Sequence, residues 1–231
     1  AANLAPQANA QDAFDGKNAP VYPPGQQDPV GTWLLDEGSG DIAHDSADGH
    51  DLTLTGAPAW VPGHAGTALQ FNGANQYAEA AGPVLDTKGN FTAAAWVRLD
   101  STGHFATAVS QDGANASAFF LQYSAADNRW AFATVGGRAL SDVAPQTGRW
   151  YHLVGVHDAT QGTYTLYVDG QAQQKVLHQC LGDDSSGPLA VGRGFFNATK
   201  TDFWPGIIDE PQVWNRALSA ADVAQLYSAG T

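Results

Sequence analysis

Two acidic residues near the C-terminus interrupt an apolar run. Asp209 and Glu210 follow Ile207 and Ile208, and Val213 comes shortly after them. A buried carboxylate without a partner is costly, so a carboxylate in this run must be hydrogen-bonded, ion-paired or bound to a metal. Whether Asp209 is a metal ligand or a surface charge is the first functional question that the sequence raises.

Paired carboxylates for glycoside hydrolysis are not evident. A glycosidase needs two carboxyl groups held roughly 5–10 Å apart across a cleft. The Glu residues Glu37, Glu79 and Glu210 are scattered along the chain. Asp183 and Asp184 are neighbours, which a strand would point to opposite faces. This distribution argues against hydrolase chemistry.

Histidine and cysteine patterns also give no catalytic or zinc site. His152 and His157 lie on one predicted strand but on opposite faces, so they do not converge as the base and partner of a lyase. We expect His152 to be structural. Cys180 is the only cysteine, which excludes an internal disulfide and a cysteine-based zinc site. We therefore predict no catalytic centre, with an atypical glycosidase or lyase as the alternative.

Two segments combine aromatic and polar side chains in the way that a sugar-binding surface requires. Aromatic rings provide flat apolar platforms, and amides or carboxylates provide hydrogen bonds. The first segment spans 194–204 and the second spans 123–130. The alternative for each aromatic residue is packing in the core. The predicted ligand-binding residues are Tyr123, Trp130, Phe195, Phe196, Asn197, Asp202 and Trp204.

The charge balance limits the partners of the protein. The 231 residues include 23 Asp and Glu against ten Lys and Arg, for a formal net charge of −13. This excess argues against nucleic acid or an anionic membrane surface as partner. It is compatible with Ca²⁺, which prefers oxygen ligands, or with solubility alone. No apolar run is long enough to insert into a membrane.

The ends of the chain suggest a secreted protein. Residues 1–28 are rich in Ala, Gln, Asn and Pro, which predicts a flexible N-terminal arm or linker. The N-terminus has neither a basic start nor an apolar core, so the chain resembles a mature or excised product after signal removal. We expect one domain over residues 29–231 and an extracellular location.

Short predicted strands, spaced about a dozen residues apart, indicate an all-β sandwich. The clearest hairpin joins strands 151–158 and 163–168 through a four-residue loop that ends in Gly162. One helix is predicted near the C-terminus. Ser219 is its N-cap, Asp222 is at the third helical position, and Gly230 ends it.

A series of motifs in a characteristic order gives a family resemblance. They read WLLDEGSG (33–40), DSADGHD (45–51), AAWVRL (94–99), WYHLVGVH (150–157), LYVDG (166–170), GPLAVG (187–192) and IDEPQVWNRAL (208–218). The set resembles the laminin-G-like jelly-roll domains of the concanavalin A-like lectin/glucanase superfamily. The resemblance implies a two-sheet antiparallel jelly roll with one short C-terminal helix, usually extracellular and often binding carbohydrate or protein.

The resemblance also implies a calcium site. Related domains often tie the first strand to the last through a structural Ca²⁺, and the matching carboxylates are Asp36 and Asp209. The alternative is that Asp36 caps a turn and Asp209 pairs with Arg216. Pro211 departs from the family pattern. Because proline cannot donate to a ladder, its strand should be at an edge or bulged there.

The sequence therefore predicts a secreted, non-catalytic binding module whose ligand is a polysaccharide or glycan, stabilised by Ca²⁺. The alternatives are a polysaccharide-active enzyme with an atypical site and a protein-interaction or adhesion module of a larger secreted polypeptide.

Overall fold

Two antiparallel sheets packed face to face form the protein, which a computed structural model describes over residues 28–177 and 185–230. The predicted arm, apart from residue 28, and Cys180 lie outside the described residues. The all-β jelly-roll prediction is confirmed. In chain order the strands are β1 (Gly31–Thr32), β2 (Ile42–Ala43), β3 (Leu52–Thr55), β4 (Ala59–Pro62), β5 (Thr67–Asn72), β6 (Tyr77–Ala80), β7 (Phe91–Leu99), β8 (Ala106–Asp112), β9 (Ser117–Ser124), β10 (Arg129–Thr134), β11 (Gly137–Leu140), β12 (Trp150–Asp158), β13 (Thr163–Val168), β14 (Gln171–Leu177), β15 (Leu189–Val191), β16 (Gly194–Phe196), β17 (Thr199–Thr201) and β18 (Pro205–Trp214).

We name the two sheets by their outer faces: the helix sheet packs against the C-terminal helix, and the groove sheet lines a surface cavity. The helix sheet has the order β14-β13-β12-β7-β18-β5-β4, with β1 paired to β18. The groove sheet has the order β11-β10-β9-β8-β15-β6-β3-β2. Strands β16 and β17 form a separate hairpin that lies against β8 and β9 of the groove sheet.

The core lies between the sheets because apolar side chains alternate along each strand. Val97 and Leu153 of the helix sheet are buried with Leu121 and Val191 of the groove sheet in one apolar cluster. The predicted hairpin is confirmed as β12 and β13, with Asp158 opposite Thr163.

The predicted helix is α1 (Ala220–Ala229), and it packs on the outer face of the helix sheet. The Ser219 hydroxyl accepts from the Asp222 amide, and the Asp222 carboxylate accepts from the Ser219 amide, which completes a capping box. Val223 on α1 is buried against Val154 and Trp214. In the described part of the chain, no helix is long and apolar enough to cross a membrane.

Strand β18 is bulged next to Pro211, as the sequence predicted. Its register with β7 shifts between Asp209 and Gln212, and Glu210 has φ 45°. The strand is nevertheless central, with β7 on one side and β5 on the other. The bulge lets a proline without an N–H donor lie inside a sheet.

Candidate functional site

The β16–β17 hairpin projects aromatic and polar residues over the groove sheet. Phe196 forms an isolated bridge with Ala116, and the Ala198 amide donates to the Asn115 carbonyl at 2.9 Å. Asn197 and Ala198 connect the two strands with φ of 52° and 55°. Two such residues make a tight hairpin turn, but the left-handed conformation costs Ala roughly 1–2 kcal/mol. Strain of this kind is concentrated at functional sites.

A cavity of about 360 Å³ lies beside the hairpin, and we call it the groove cavity. Its size is within the range of about 300–1,000 Å³ typical of ligand sites. It combines aromatic rings with neutral and charged polar groups. Its lining residues are Phe105, Phe120, Gln122, Ala133, Thr134, Val135, Arg138, Phe196 and Asp202.

Asp202 is the carboxyl group of the groove cavity. Burial raises its pKa, and the hydrogen bond that its Oδ1 accepts from the Thr201 hydroxyl at 3.2 Å opposes that rise. Arg138 lines the same cavity but donates to Asp127 at 2.6 Å and to Ser124 at 3.0 Å. Asp202 therefore retains acceptor capacity towards a ligand hydroxyl.

Phe196 and Val135 also line a second cavity, of about 410 Å³, which we call the turn cavity. The remaining lining residues belong to the β8–β9 turn and to the hairpin turn, namely Gly113, Ala114, Asn115, Ala116 and Asn197. Phe196 is 45% exposed and Val135 is 59% exposed. These two apolar side chains separate two openings of different chemistry.

A buried arginine anchors the start of the hairpin. Arg193 is 0% exposed and precedes β16 directly. Its guanidinium donates to both carboxylate oxygens of Asp112, at 2.9 and 2.8 Å, and to Glu79 at 2.7 Å. Bidentate pairs of this kind fix orientation as well as adding energy. The base of the hairpin is thus held against β8 and β6.

Lys200 anchors the returning strand of the hairpin to the same carboxylate. Its Nζ donates to the two oxygens of Glu79 at 3.1 and 2.9 Å and to the Tyr77 hydroxyl at 2.7 Å. Burial opposes the ionisation of Glu79, but the hydrogen bonds and charges of Arg193 and Lys200 outweigh it, so the pKa of Glu79 is lowered. Both strands of the hairpin are therefore tied to one ionised side chain.

The structure brings four of the seven predicted ligand residues to the hairpin surface or its edge. Phe196 and Asn197 are exposed, and Phe195 and Asp202 are partly exposed. Asn197 lines the turn cavity, and Asp202 lines the groove cavity. The missed contributors are Phe105, Phe120, Gln122 and Arg138, which come from strands or loops far apart in sequence.

The other three predicted ligand residues are in the core, which corrects that part of the prediction. Trp204 is 0% exposed, Trp130 is 1% and Tyr123 is 2%. Trp130 stacks on Trp204 with ring centroids 6.1 Å apart. The chain turns inward after β17, because the Trp204 amide donates to the Gly192 carbonyl and β18 begins at once. These rings support the sheets from inside.

Asp209 and Asp36 hold one loop between them. Asp209 Oδ2 accepts from the amides of His64 and Ala65 at 2.8 and 3.1 Å, and Oδ1 accepts from the Glu210 amide at 2.9 Å. Asp36 Oδ1 accepts from the Thr67 amide at 2.8 Å. The first and last parts of the fold therefore meet at residues 63–67, which form the β4–β5 loop and the first residue of β5.

The electrostatics of this carboxylate cluster are unfavourable for charge. Burial is the main cause that raises the pKa of Asp209 to about 8, and the charge of Glu210 adds to it. Burial and the charge of Asp36 raise the pKa of Glu210 in the same way. Arg216, the alternative partner, donates to Asp222 at 3.0 Å. Over residues 28–177 and 185–230, no three His, Cys, Asp or Glu side chains are arranged to hold a metal ion.

His152 is packed on the outer face of the helix sheet. Its ring lies 4.9 Å from that of Trp96, which His64 covers from another direction at 3.6 Å. Burial, followed by the proximity of His64, lowers the pKa of His152 to about 4. His157 Nδ1 lies 2.8 Å from the Gly89 carbonyl oxygen. Neither ring lines the groove cavity or the turn cavity.

Comparison with known proteins supports this description of the fold. A family model described as the concanavalin A-like lectin/glucanases superfamily matches residues 72–224. No curated protein sequence matches the chain significantly.

Several solved structures share the fold at low sequence identity. Domain 4 of AbnA, an extracellular GH43 arabinanase from Geobacillus stearothermophilus solved with arabinotriose, has a TM-score of 0.71 and 19% identity, with 87% of this chain and 98% of that chain covered. A Trypanosoma rangeli sialidase with sialic acid has a TM-score of 0.65 and 17% identity, with 90% of this chain but only 35% of the sialidase covered. The binding domain of botulinum neurotoxin serotype G has a TM-score of 0.63 and 16% identity, with 87% of this chain and 51% of that chain covered.

Proposed function

The chain belongs to the concanavalin A-like lectin/glucanases superfamily, and on that premise we propose that it is a non-catalytic carbohydrate-binding domain. The observation that carries the proposal is Phe196, an exposed aromatic side chain at the border of the groove cavity. Phe196 lines the same cavities as the exposed Val135, and apolar surface that is contiguous and rimmed by polar groups marks an interaction site. The ligand would stack on Phe196 and enter the groove cavity.

The chemistry of the groove cavity suits a sugar. A sugar ring has an apolar face for an aromatic platform and hydroxyl groups that both donate and accept hydrogen bonds. Gln122 and Thr134 can do both, Asp202 accepts, and Arg138 donates. The arabinotriose bound to domain 4 of the arabinanase supports a carbohydrate as ligand.

The carboxylates near the site favour binding over hydrolysis. Glycosidases use two carboxyl groups that flank the scissile bond. Asp202 is the one carboxyl group among the residues that line the groove cavity. Glu79 is neutralised by Arg193 and Lys200 in the anchor of the hairpin. A single acceptor carboxylate can orient a sugar, but it does not provide the acid and base pair.

Calcium near Asp36 and Asp209 is a further part of the proposal. The charge of Glu210 disfavours ionisation of Asp209, and the charge of Asp36 disfavours ionisation of Glu210, so a cation bound here would relieve repulsion. The backbone amides that bind both oxygens of Asp209 oppose it, since they already satisfy that side chain. An increase in melting temperature with Ca²⁺ and its reversal by chelator would support the site. No shift with either would exclude it.

An extracellular location also belongs to the proposal. Its support is that domain 4 of the arabinanase comes from an extracellular enzyme.

The test of function is retention of the pure chain in gels that contain single polysaccharides, together with an assay for released sugars. Arabinan, xylan, galactan, glucans and sialylated glycoprotein form the panel. Retention by one class without release of reducing ends or unsaturated products is the expected result. Cleavage of any of these polymers would assign an enzyme, and no retention by the whole panel would favour a protein partner.

A further inference from the structure

We infer that the turn cavity is a second sugar subsite, so that the ligand is an oligosaccharide chain that crosses Phe196. The inference rests on the proposed function and adds the length and chemistry of the ligand. One unit lies in the groove cavity, and the next lies in the turn cavity.

The first support is the position of Phe196 between two cavities. Phe196 and Val135 line both of them. The bridge to Ala116 and the bond from the Ala198 amide to the Asn115 carbonyl hold the hairpin against the β8–β9 turn. The hairpin anchor at Arg193 and Lys200 limits movement at the other end. The wall shared by the two cavities is therefore fixed from both sides.

The second support is the difference in chemistry between the cavities. Gly113, Ala114 and Ala116 have little or no side chain, and this leaves room for a ring against the backbone. The amides of Asn115 and Asn197 provide donors and acceptors. No charged residue is among those lining the turn cavity, whereas Arg138 and Asp202 line the groove cavity. The turn cavity thus suits a neutral unit held by hydroxyl contacts.

The third support is the cost of the hairpin turn. Asn197 and Ala198 are both left-handed, and Asp202 follows with φ 53°. Asn197 lines the turn cavity and Asp202 lines the groove cavity. Ala198 lies in the turn that connects β16 to β17. Asn and Asp adopt this conformation readily, so the strain falls on Ala198, and a strained residue of this kind is found more often at functional sites than elsewhere.

The experiment measures affinity against chain length. Neutral oligosaccharides of glucose, xylose, galactose and arabinose, from one to four units, are titrated by calorimetry or NMR. In the wild-type protein, the affinity for one of these series should increase at least about tenfold between one unit and three, which corresponds to about 1.4 kcal/mol. Ala114→Trp fills the turn cavity and should remove most of that increase while leaving the single unit within about twofold.

Two further variants make the result specific. Ala47→Trp places the same bulk at an exposed position in the loop after β2 and should keep the full increase. Asn115→Ala removes one amide without adding volume and should weaken the longer ligands several-fold, so the test remains valid if Ala114→Trp does not fold.

The outcomes separate the subsite from the function. Binding that does not depend on chain length, or an unchanged increase in both cavity variants, would overturn the second subsite and leave carbohydrate binding intact. Absence of binding at every length, together with no polysaccharide retention, would overturn both.

Discussion

Two carboxylates, one on each sheet, are stabilised in opposite ways. On the groove sheet, Arg193 and Lys200 surround Glu79 and lower its pKa despite burial. On the helix sheet, Asp209 is bound by backbone amides alone, and burial raises its pKa to about 8. A cation keeps a buried acid charged, whereas amide donors fix its position without removing the cost of its charge. The charged cluster of Glu79, Asp112, Arg193 and Lys200 supports the β16–β17 hairpin. Asp209, which is bound by amides, supports the β4–β5 loop.

The largest expected effect is at the centre of the charged cluster. Arg193→Met leaves Asp112 and Glu79 without their shared cation, and loss of one partner of a buried pair costs about 3–5 kcal/mol. Urea denaturation at pH 7 measures the loss. Arg98→Met is the control, since the pair of Arg98 with Asp100 is exposed and should be worth about 1 kcal/mol or less. Similar losses in the two variants would contradict the comparison.

The contribution of Asp209 to stability should change with pH in the opposite direction to that of an ion-paired carboxylate. The folded pKa of Asp209, about 8, lies above its unfolded value of about 3.9. Between these values the folded state binds more protons, so this group's contribution to stability is complete below about pH 4 and is lost as pH rises to about 8.

Asp209→Asn tests that direction. The variant should be less stable than the wild type at pH 5, because an acceptor of one amide is lost. The difference in unfolding free energy between wild type and variant should be smaller at pH 8 than at pH 5 by at least about 1.4 kcal/mol, which corresponds to one pKa unit. Denaturation in the presence of chelator measures both values. A difference that grows with pH would show instead that Asp209 is ionised in the metal-free folded protein.

Glu79 provides the matching measurement on the groove sheet. Because its folded pKa is lowered, its contribution is present above its unfolded pKa and is lost as pH falls. We expect Glu79→Gln to flatten the acid side of the stability profile between about pH 5 and pH 3. Superimposable acid profiles for variant and wild type would show that Arg193 and Lys200 do not favour the ionised form.

The smallest expected effect concerns backbone strain in the hairpin. Ala198 has φ 55° in the turn, and glycine adopts this conformation without the penalty that Ala incurs. Ala198→Gly should raise stability by about 0.5–1 kcal/mol. A decrease would show that the turn is not strained.

The sequence was sufficient for the parts of the fold that depend on neighbouring residues. Period-two alternation identified the β12–β13 hairpin, Ser219 and Asp222 identified the capping box, and Pro211 indicated the bulge in β18. Each of these features is decided within a few residues, so it can be read locally.

The candidate site was only partly predictable because long-range contacts decide it. The sequence identified the aromatic segment at 194–204 as a candidate, but its spacing could not show that Trp204 turns into the core while Phe196 remains exposed. Arg193 meets Glu79 across 114 positions of sequence. Asp209 was expected to need a partner, yet the amides that bind it lie 144 and 145 positions away. No local pattern specifies such pairs.

We expect the exposed ring of Phe196, on the hairpin anchored by Glu79, Arg193 and Lys200, to bind carbohydrate. Calorimetric titration of wild type and Phe196→Ala with the oligosaccharide of the retained polysaccharide tests it most directly. Val143→Ala truncates another exposed apolar side chain and is the control. We expect binding to be at least about tenfold weaker for Phe196→Ala, about 1.4 kcal/mol, with the control unchanged and both variants folded. An equal Kd for all three proteins would contradict it.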